Sequence, residues 1–200
     1  MPERVKTNME GAAAALDYDA ELMLRVKDGD GASFGVLLDK HRSSVVHFLY
    51  RMVLNHAVAE ELAQEVFLRV YRSRGTYEPT AKFTTWLFRI ATHLALNSLR
   101  DGKYQKLNDR LEDDSGGPVR QVSDNRPTVE QRMVYEVRLD EVRRAVGTLP
   151  EKQRAAVLMH KYEEMEYSQI ARVLNCSESA VKSLLFRAYE TLRARLAHMA

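Results

Sequence analysis

Residues 167–188 read YSQIARVLNCSESAVKSLLFRA, two short amphipathic segments separated by a turn. Apolar residues recur at helical spacing in the first segment, which predicts a helix over 167–174. Asn, Cys and Ser at 175–177 then favour a turn, and Ser177 is a suitable N-cap for a second helix from Ser179 to about Arg195. Small Ala171 allows the two helices to approach closely. The stretch therefore predicts a helix-turn-helix over 167–186.

The second helix of such a unit places its N-terminal part in the major groove of DNA. Its outward side chains supply hydrogen-bond donors, phosphate partners and one apolar surface suited to a thymine methyl group. These residues are Ser179, Lys182, Ser183, Phe186 and Arg187. The pattern alone fits equally well a helical hairpin within a larger bundle, with Lys182 and Arg187 merely solvated.

The rest of the chain also has helical periodicity, and nothing alternates with period two for long enough to predict a sheet. Apolar residues recur every three or four positions along 58–70 and 83–94, and two helices are predicted over 20–53, separated at Gly29–Gly31. Residues 105–130 are rich in Asp, Ser, Gly and Pro and are predicted to be a flexible linker. The fold class is therefore all-α, with a flexible N-terminal segment over 1–19, one small helical domain over 20–104 and a second over 131–200.

The composition is that of an ordinary globular protein, with 45% hydrophobic and 29% charged residues. Its net charge of +2 does not indicate a nucleic-acid binder, so any basic surface must be local. A single cysteine, Cys176, excludes an intramolecular disulfide framework and fits a reducing compartment. We expect a cytoplasmic location, since no signal peptide or membrane-spanning run is recognisable.

The predicted helix over 83–100 carries an aromatic and basic stripe at steps of three and four. Its members are Trp86, Arg89, His93, Asn97 and Arg100, with Lys103 just beyond. Such a stripe suits base stacking and phosphate contact, and the polar loop before it could surround a base removed from its stack. The alternative is that Trp86 belongs to the core and the basic face is only solvated.

The helix before that loop presents a different surface. Glu61, Gln64 and Glu65 are expected on one face beside Phe67 and Tyr71, which we expect to be exposed. Acidic residues next to aromatic ones suit a protein-docking surface better than a nucleic-acid surface. A solvated helix face is the alternative.

Taken in order, these segments resemble the extracytoplasmic-function (ECF) group of bacterial RNA polymerase sigma factors. The resemblance rests on AEELAQEVFLRVYR (59–72), FTTWLFRIATHLALNSLR (83–100), LPEKQRAAVLMHKYEEMEYSQIA (149–171) and VKSLLFRAYETLR (181–193). It covers roughly 20–104 and 131–197. Several motifs in a fixed order are more specific than any one of them.

The resemblance implies a role for each surface. Segment 59–72 would bind the clamp helices of the polymerase largest subunit through Glu61, Gln64, Glu65, Phe67 and Tyr71. The −10 promoter element, as non-template single strand, would contact Tyr77, Lys82, Phe83, Thr84, Trp86, Arg89, His93, Asn97, Arg100 and Lys103. Duplex DNA of the −35 element would contact Ser177, Ser179, Lys182, Ser183, Phe186 and Arg187. His93 stands where the family usually has Asn, and Asn97 where an acidic residue is common, so the promoter letters are left open.

The resemblance also implies the β flap of polymerase and an anti-sigma factor as partners. No catalytic residue, metal site, cofactor or small-molecule substrate is expected. GDGASFG (29–35) lacks the preceding strand that a phosphate-binding glycine loop requires. Two other functions remain open from the residues alone: a stand-alone helix-turn-helix regulator with an N-terminal sensing domain, and a helical adaptor that binds only protein.

Overall fold

The computed structural model describes residues 17–101 and 129–199, with side chains from 137 onward in the second range. Eight α-helices occur in these ranges, and no strand does. They are α1 (Tyr18–Lys27), α2 (Gly31–Val53), α3 (His56–Arg72), α4 (Phe83–Arg100), α5 (Val129–Gly147), α6 (Glu151–Tyr162), α7 (Tyr167–Leu174) and α8 (Glu178–Arg195). Short 3₁₀ turns follow α3 and α8. The predicted all-α, two-domain fold is confirmed.

Side-chain N-caps begin the first three helices. Asp30 accepts hydrogen bonds from the first amides of α2, and Asn55 does the same for α3. Between these two helices, Leu54 has a left-handed backbone with φ of 57° and ends α2. The Gly29–Gly31 break predicted from sequence is confirmed, because Gly29 has φ of +100° between α1 and α2. The segment GDGASFG is thus a helix boundary.

The start of the first domain differs from prediction. The flexible segment was expected to run to residue 19, but α1 begins at Tyr18 and Asp17 is its N-cap. One carboxylate oxygen of Asp17 accepts from the amide of Ala20 at 2.6 Å, and the other accepts from the amide of Phe83 at 3.2 Å. Asp17 therefore joins the first turn of α1 to the first turn of α4.

The second domain is built around the two helices of the opening stretch. The amide of Glu166 donates to the side-chain oxygen of Gln169 and so orders the start of α7. Asn175 ends α7 with φ of 50°, and the Ser177 hydroxyl accepts from the amide of Ala180 to begin α8. The predicted N-cap role of Ser177 is confirmed.

The two domains pack against each other. Helix α7 lies on α4, and α5 and α6 lie on α2. Arg154, only 8% exposed, donates from α6 to the carbonyl oxygens of Gly147 and Leu149 in its own domain and of Met52 at the end of α2. The predicted linker over 105–130 lies almost entirely outside the described residues. No helix within 17–101 and 129–199 is long and apolar enough to cross a membrane.

Candidate nucleic-acid interface

The outer face of α8 is the first candidate surface. Val181, Leu185 and Ala188 are buried on the inner side of this helix and fix its rotation. The predicted contact residues Ser177, Ser179, Lys182, Ser183, Phe186 and Arg187 are all exposed on the opposite side. Phe186 is 67% exposed, the largest value among the exposed large hydrophobic residues of the described part. One exposed ring is common on a protein surface, so this face is a candidate because Phe186 stands beside Lys182 and Arg187 on the second helix of a helix-turn-helix.

The second candidate surface is a polar row along α4. The His93 ring lies 3.3 Å from the amide nitrogen of Asn97, and Arg100 donates to the Asn97 side-chain oxygen at 3.2 Å. Arg89 and Arg100 are exposed, whereas Asn97 is half-buried. Within the predicted stripe, His93, Asn97 and Arg100 thus form a hydrogen-bonded row, and Arg89 adds a second exposed positive charge on the same helix. Lys103 lies outside the described residues.

At its N-terminal end this row meets an aromatic cluster. Trp86 is half-buried, with its ring centroid 4.9 Å from that of Tyr77 and 5.9 Å from that of Phe83. Tyr77 and Phe83 are themselves buried, so in this structure they cannot contact DNA directly as predicted. They form the support behind Trp86 instead, while Lys82 is exposed and Thr84 half-buried beside them.

The buried hydroxyl of Tyr77 is an unusual feature of this cluster. It has no hydrogen-bond partner among the described residues. Burial, together with the negative charges of Asp17 and Asp19, raises the pKa of the Tyr77 hydroxyl to about 12, so it stays protonated. A hydrogen bond to the backbone fixes Tyr77 instead, because the Lys27 ammonium donates to the Tyr77 carbonyl oxygen at 3.0 Å.

The predicted docking surface on α3 needs one correction. Glu61 and Gln64 are exposed, and the half-buried Glu65 accepts from Arg69 at 2.7 Å. Phe67 was expected to be exposed, but it is 6% exposed and part of the core. The next residue, Leu68, is 48% exposed and was missed by sequence reasoning. Tyr71 is exposed, packs its ring 5.1 Å from that of Phe34 and carries Arg74 over its face.

Metal chemistry finds no support in the part of the chain described. No group of three His, Cys, Asp or Glu side chains there is placed to hold an ion. Within the described residues, the buried His41 ring lies 2.9 Å from the Asp19 carboxylate, which also accepts a hydrogen bond from Lys40. These contacts join α2 to α1. Burial lowers the pKa of His41 despite the nearby Asp19 carboxylate.

The geometry thus defines a helix-turn-helix protein with a second polar and aromatic surface on a separate helical domain. Comparison with known proteins gives the family. The models for "Sigma-70 region 2" and "Sigma-70, region 4" match residues 37–104 and 139–192. The chain belongs to the ECF group of the sigma-70 family, and it is an RNA polymerase sigma factor that directs transcription initiation.

Individual relatives agree with this assignment along most of the chain. RNA polymerase sigma factor CarQ of Myxococcus xanthus is 33% identical over 177 residues, which is 88% of this chain and 97% of that protein. ECF RNA polymerase sigma-E factor of Escherichia coli K12 is 30% identical over 180 residues, 87% of this chain and 92% of that protein.

Solved structures agree in fold. CnrH, in complex with the cytosolic domain of CnrY, superposes with a TM-score of 0.67 at 19% identity, covering 91% of this chain and 99% of that one. RpoE, in complex with the anti-sigma factor NepR from Bartonella quintana, superposes with a TM-score of 0.62 at 19% identity. The match covers 82% of this chain and 96% of that one.

Proposed function

We propose that this sigma factor divides promoter recognition between its two domains. The single observation that carries this proposal is the outer face of α8, where a helix with a buried inner side presents Lys182, Phe186 and Arg187 to solvent. We propose that this face enters the major groove of the −35 element, which is bound as duplex DNA. Arg187 contacts a base edge or phosphate, and Phe186 packs on a thymine methyl group. Ser177 and Ser179, at the helix start, lie near the phosphates.

The first domain is proposed to hold the −10 element as single strand. Trp86 offers a stacking platform supported from behind by Tyr77 and Phe83. Arg89 and Arg100 neutralise phosphates, and the His93–Asn97 pair offers hydrogen-bonding groups to a base. Opening the duplex costs a few kcal/mol per unstacked base, which stacking and phosphate contacts offset. Tyr77 and Phe83 act here as positioning residues rather than as contacts.

Core polymerase is the proposed partner of α3. Its exposed side chains Glu61, Gln64, Leu68 and Tyr71 combine charge with apolar area, as protein interfaces do. Glu65 takes part through its pair with Arg69. The clamp helices of the largest subunit are the proposed contact for this surface, and the β flap for the second domain.

An anti-sigma factor is a further proposed partner. CnrH and RpoE, which share this fold, are each described in complex with a partner protein, and NepR is named as an anti-sigma factor. We propose that this chain acts in the cytoplasm, where polymerase works, without catalysing a reaction itself. The first domain is proposed to run from Asp17 to about residue 104 and the second from Val129 onward, with the linker between them.

Run-off transcription with purified core polymerase on a randomised promoter library tests this function. We expect initiation from templates that share two elements, one upstream and one near the start site, and weak DNA binding before core enzyme is added. A dimer that binds duplex DNA tightly without polymerase would instead identify a stand-alone regulator. No initiation from any template would refute the proposal.

A further inference from the structure

The hydrogen bonds along α4 fix which way the Asn97 side-chain amide points. The Arg100 guanidinium carries donors only, and it lies 3.2 Å from the Asn97 side-chain oxygen, which therefore accepts. The amide nitrogen of Asn97 is left facing Nδ1 of the His93 ring at 3.3 Å. Reversing the amide would set its nitrogen, a donor, against the donors of Arg100. Only the observed orientation suits both neighbours.

This orientation determines which nitrogen of the His93 ring carries the proton. An amide nitrogen donates and does not accept, so Nδ1 of His93 must be the acceptor and has no hydrogen. In a neutral imidazole the proton is then on the other nitrogen, Nε2, because the bond that one ring nitrogen makes sets the role of the other. His93 is exposed while Asn97 is half-buried. The Nε2–H group is therefore a donor available to a molecule that binds along this side of α4.

The row of His93, Asn97 and Arg100 as a whole offers donors to a ligand. The acceptors that His93 and Asn97 contribute are each engaged by the next member of the row. Arg100 donates from one nitrogen to Asn97, and its Nε lies 3.6 Å from the Asp101 carboxylate, which leaves further N–H groups for a phosphate. A base that meets this row is therefore favoured when the edge that it presents carries an acceptor.

We infer that His93 is a specificity-determining residue that reads a keto oxygen, O6 of guanine or O4 of thymine, at one position of the −10 element. Asn97 and Arg100 are positioning residues that hold His93 in the Nε2–H form. The inference rests on the proposed binding of single-stranded −10 DNA along α4. Adenine and cytosine carry an amino group at the corresponding place, and its N–H donors oppose the Nε2–H donor. This contrast is expected to favour guanine or thymine about twofold to tenfold.

The variant Asn97→Asp should reverse the choice of base. A carboxylate accepts with both oxygens, so one oxygen keeps the bond from Arg100 and the other accepts from Nδ1–H of His93. The free lone pair of the ring is then on Nε2, which accepts from the amino group of adenine or cytosine. Asp and Asn have nearly the same size, so the packing of α4 is kept. A pH of about 8.5 keeps the histidine ring neutral beside the new carboxylate.

The first experiment observes the His93 tautomer in the full chain at this pH, without polymerase or DNA. Long-range ¹H–¹⁵N correlation spectra distinguish a protonated ring nitrogen from an unprotonated one, and His93→Ala identifies the His93 signals among those of the six histidines. We expect the Nε2–H form in the wild type and the Nδ1–H form in Asn97→Asp. An Nδ1–H form in the wild type, or an unchanged Nε2–H form in Asn97→Asp, overturns the inference.

A pair of arginine variants tests the role of Arg100 in the same spectra. Arg100→Ala frees the Asn97 amide to turn, so the fraction of the Nδ1–H form should rise. Arg89→Ala is the matched control, because it removes the same charge from an exposed site about two helical turns from Asn97 and should leave the tautomer unchanged. An Nδ1–H fraction no higher in Arg100→Ala than in Arg89→Ala contradicts the positioning role of Arg100.

The second experiment reads the choice of base by run-off transcription with core polymerase, from templates randomised across the −10 element. The wild type should enrich guanine or thymine at one position, Asn97→Asp should enrich adenine or cytosine there, and His93→Ala should show no preference there. A preference that persists in His93→Ala, or that is the same in Asn97→Asp, overturns the inference. No initiation by the wild type from any template would instead contradict the proposed function. The tautomer of the free protein is measured without polymerase, so the two failures are distinguishable.

Discussion

Two neighbouring residues of α3 offer a test that separates folding from polymerase binding. Phe67 is 6% exposed and Leu68 is 48% exposed, although they are adjacent in sequence. Phe67→Ala removes a ring from the core and should cost about 3–5 kcal/mol of unfolding free energy. For a chain of this length that loss lowers the melting temperature by roughly 6–20 °C.

Leu68→Ala should weaken binding to core polymerase and leave the stability of the fold almost unchanged. About half of the Leu68 side chain remains to be buried by a partner, and complete burial of a leucine is worth about 1.5–3 kcal/mol. The expected loss is therefore about 1 kcal/mol of binding free energy, or roughly a fivefold weaker Kd for core polymerase, with little change in melting temperature.

Far-UV circular dichroism measures the melting temperatures, and fluorescence anisotropy of labelled protein titrated with core polymerase measures the Kd. Leu96→Ala removes a half-buried leucine from α4, outside the proposed polymerase surface, and controls for a general loss of apolar area. Wild-type affinity in Leu68→Ala would refute the placement of polymerase on this face. A large loss of stability in Leu68→Ala would show that the side chain packs within the protein.

Three further predictions follow from other sites. Tyr77→Phe removes a buried hydroxyl that has no partner, so the melting temperature should stay equal or rise by an amount worth up to about 1 kcal/mol; a loss above that would reveal a bonded hydroxyl. Burial raises the pKa of the Glu163 carboxyl to about 7, although the nearby charge of Arg51 acts to lower it. Because the folded state binds this proton more tightly than the unfolded state does, protonation of Glu163 stabilises the fold below the ordinary pKa of 4.5, and this stabilisation is lost as the pH rises through 7. Glu163→Gln should remove this pH dependence of the unfolding free energy, which is on the order of 1–2 kcal/mol after allowing for solvent screening. Denaturant titrations at several pH values measure it, and an unchanged profile would assign the titration to another group. Arg187→Ala should reduce transcription roughly 5- to 150-fold on promoters that depend on the upstream element, since one base-edge contact is worth about 1–3 kcal/mol. The control Arg193→Ala, on the same helix, should leave transcription from these promoters unchanged. Equal losses on every promoter would indicate that Arg187 contacts a phosphate.

Helical periodicity predicted the elements well because each helix buries one face. The row Val58, Leu62, Val66 and Val70 is buried as expected. Phe67 was misplaced because α3 contacts both α2 and α4, so its buried arc is wider than one row and includes Ala59 and Ala63. The exposed gap left by this wider arc falls at Leu68.

The aromatic cluster and the domain docking could not be predicted in the same way. Tyr77 lies in a loop, where no period reports which side chain is buried. The contacts of Gln169 and Arg172 with the first domain cross 84 and 92 residues of sequence. They join polar groups, of which Thr85 is buried and Arg172 exposed, and polar groups leave no apolar pattern to detect.

Asp17 has a practical consequence for handling the protein. Because its carboxylate holds the amides of both Ala20 and Phe83, a shortened chain that starts at Tyr18 would leave the beginnings of two helices uncapped at once. Affinity tags and cleavage sites are therefore best placed well upstream of this residue. Asp17→Asn would keep only one of the two hydrogen bonds, because the side-chain amide nitrogen of Asn cannot accept from a backbone N–H.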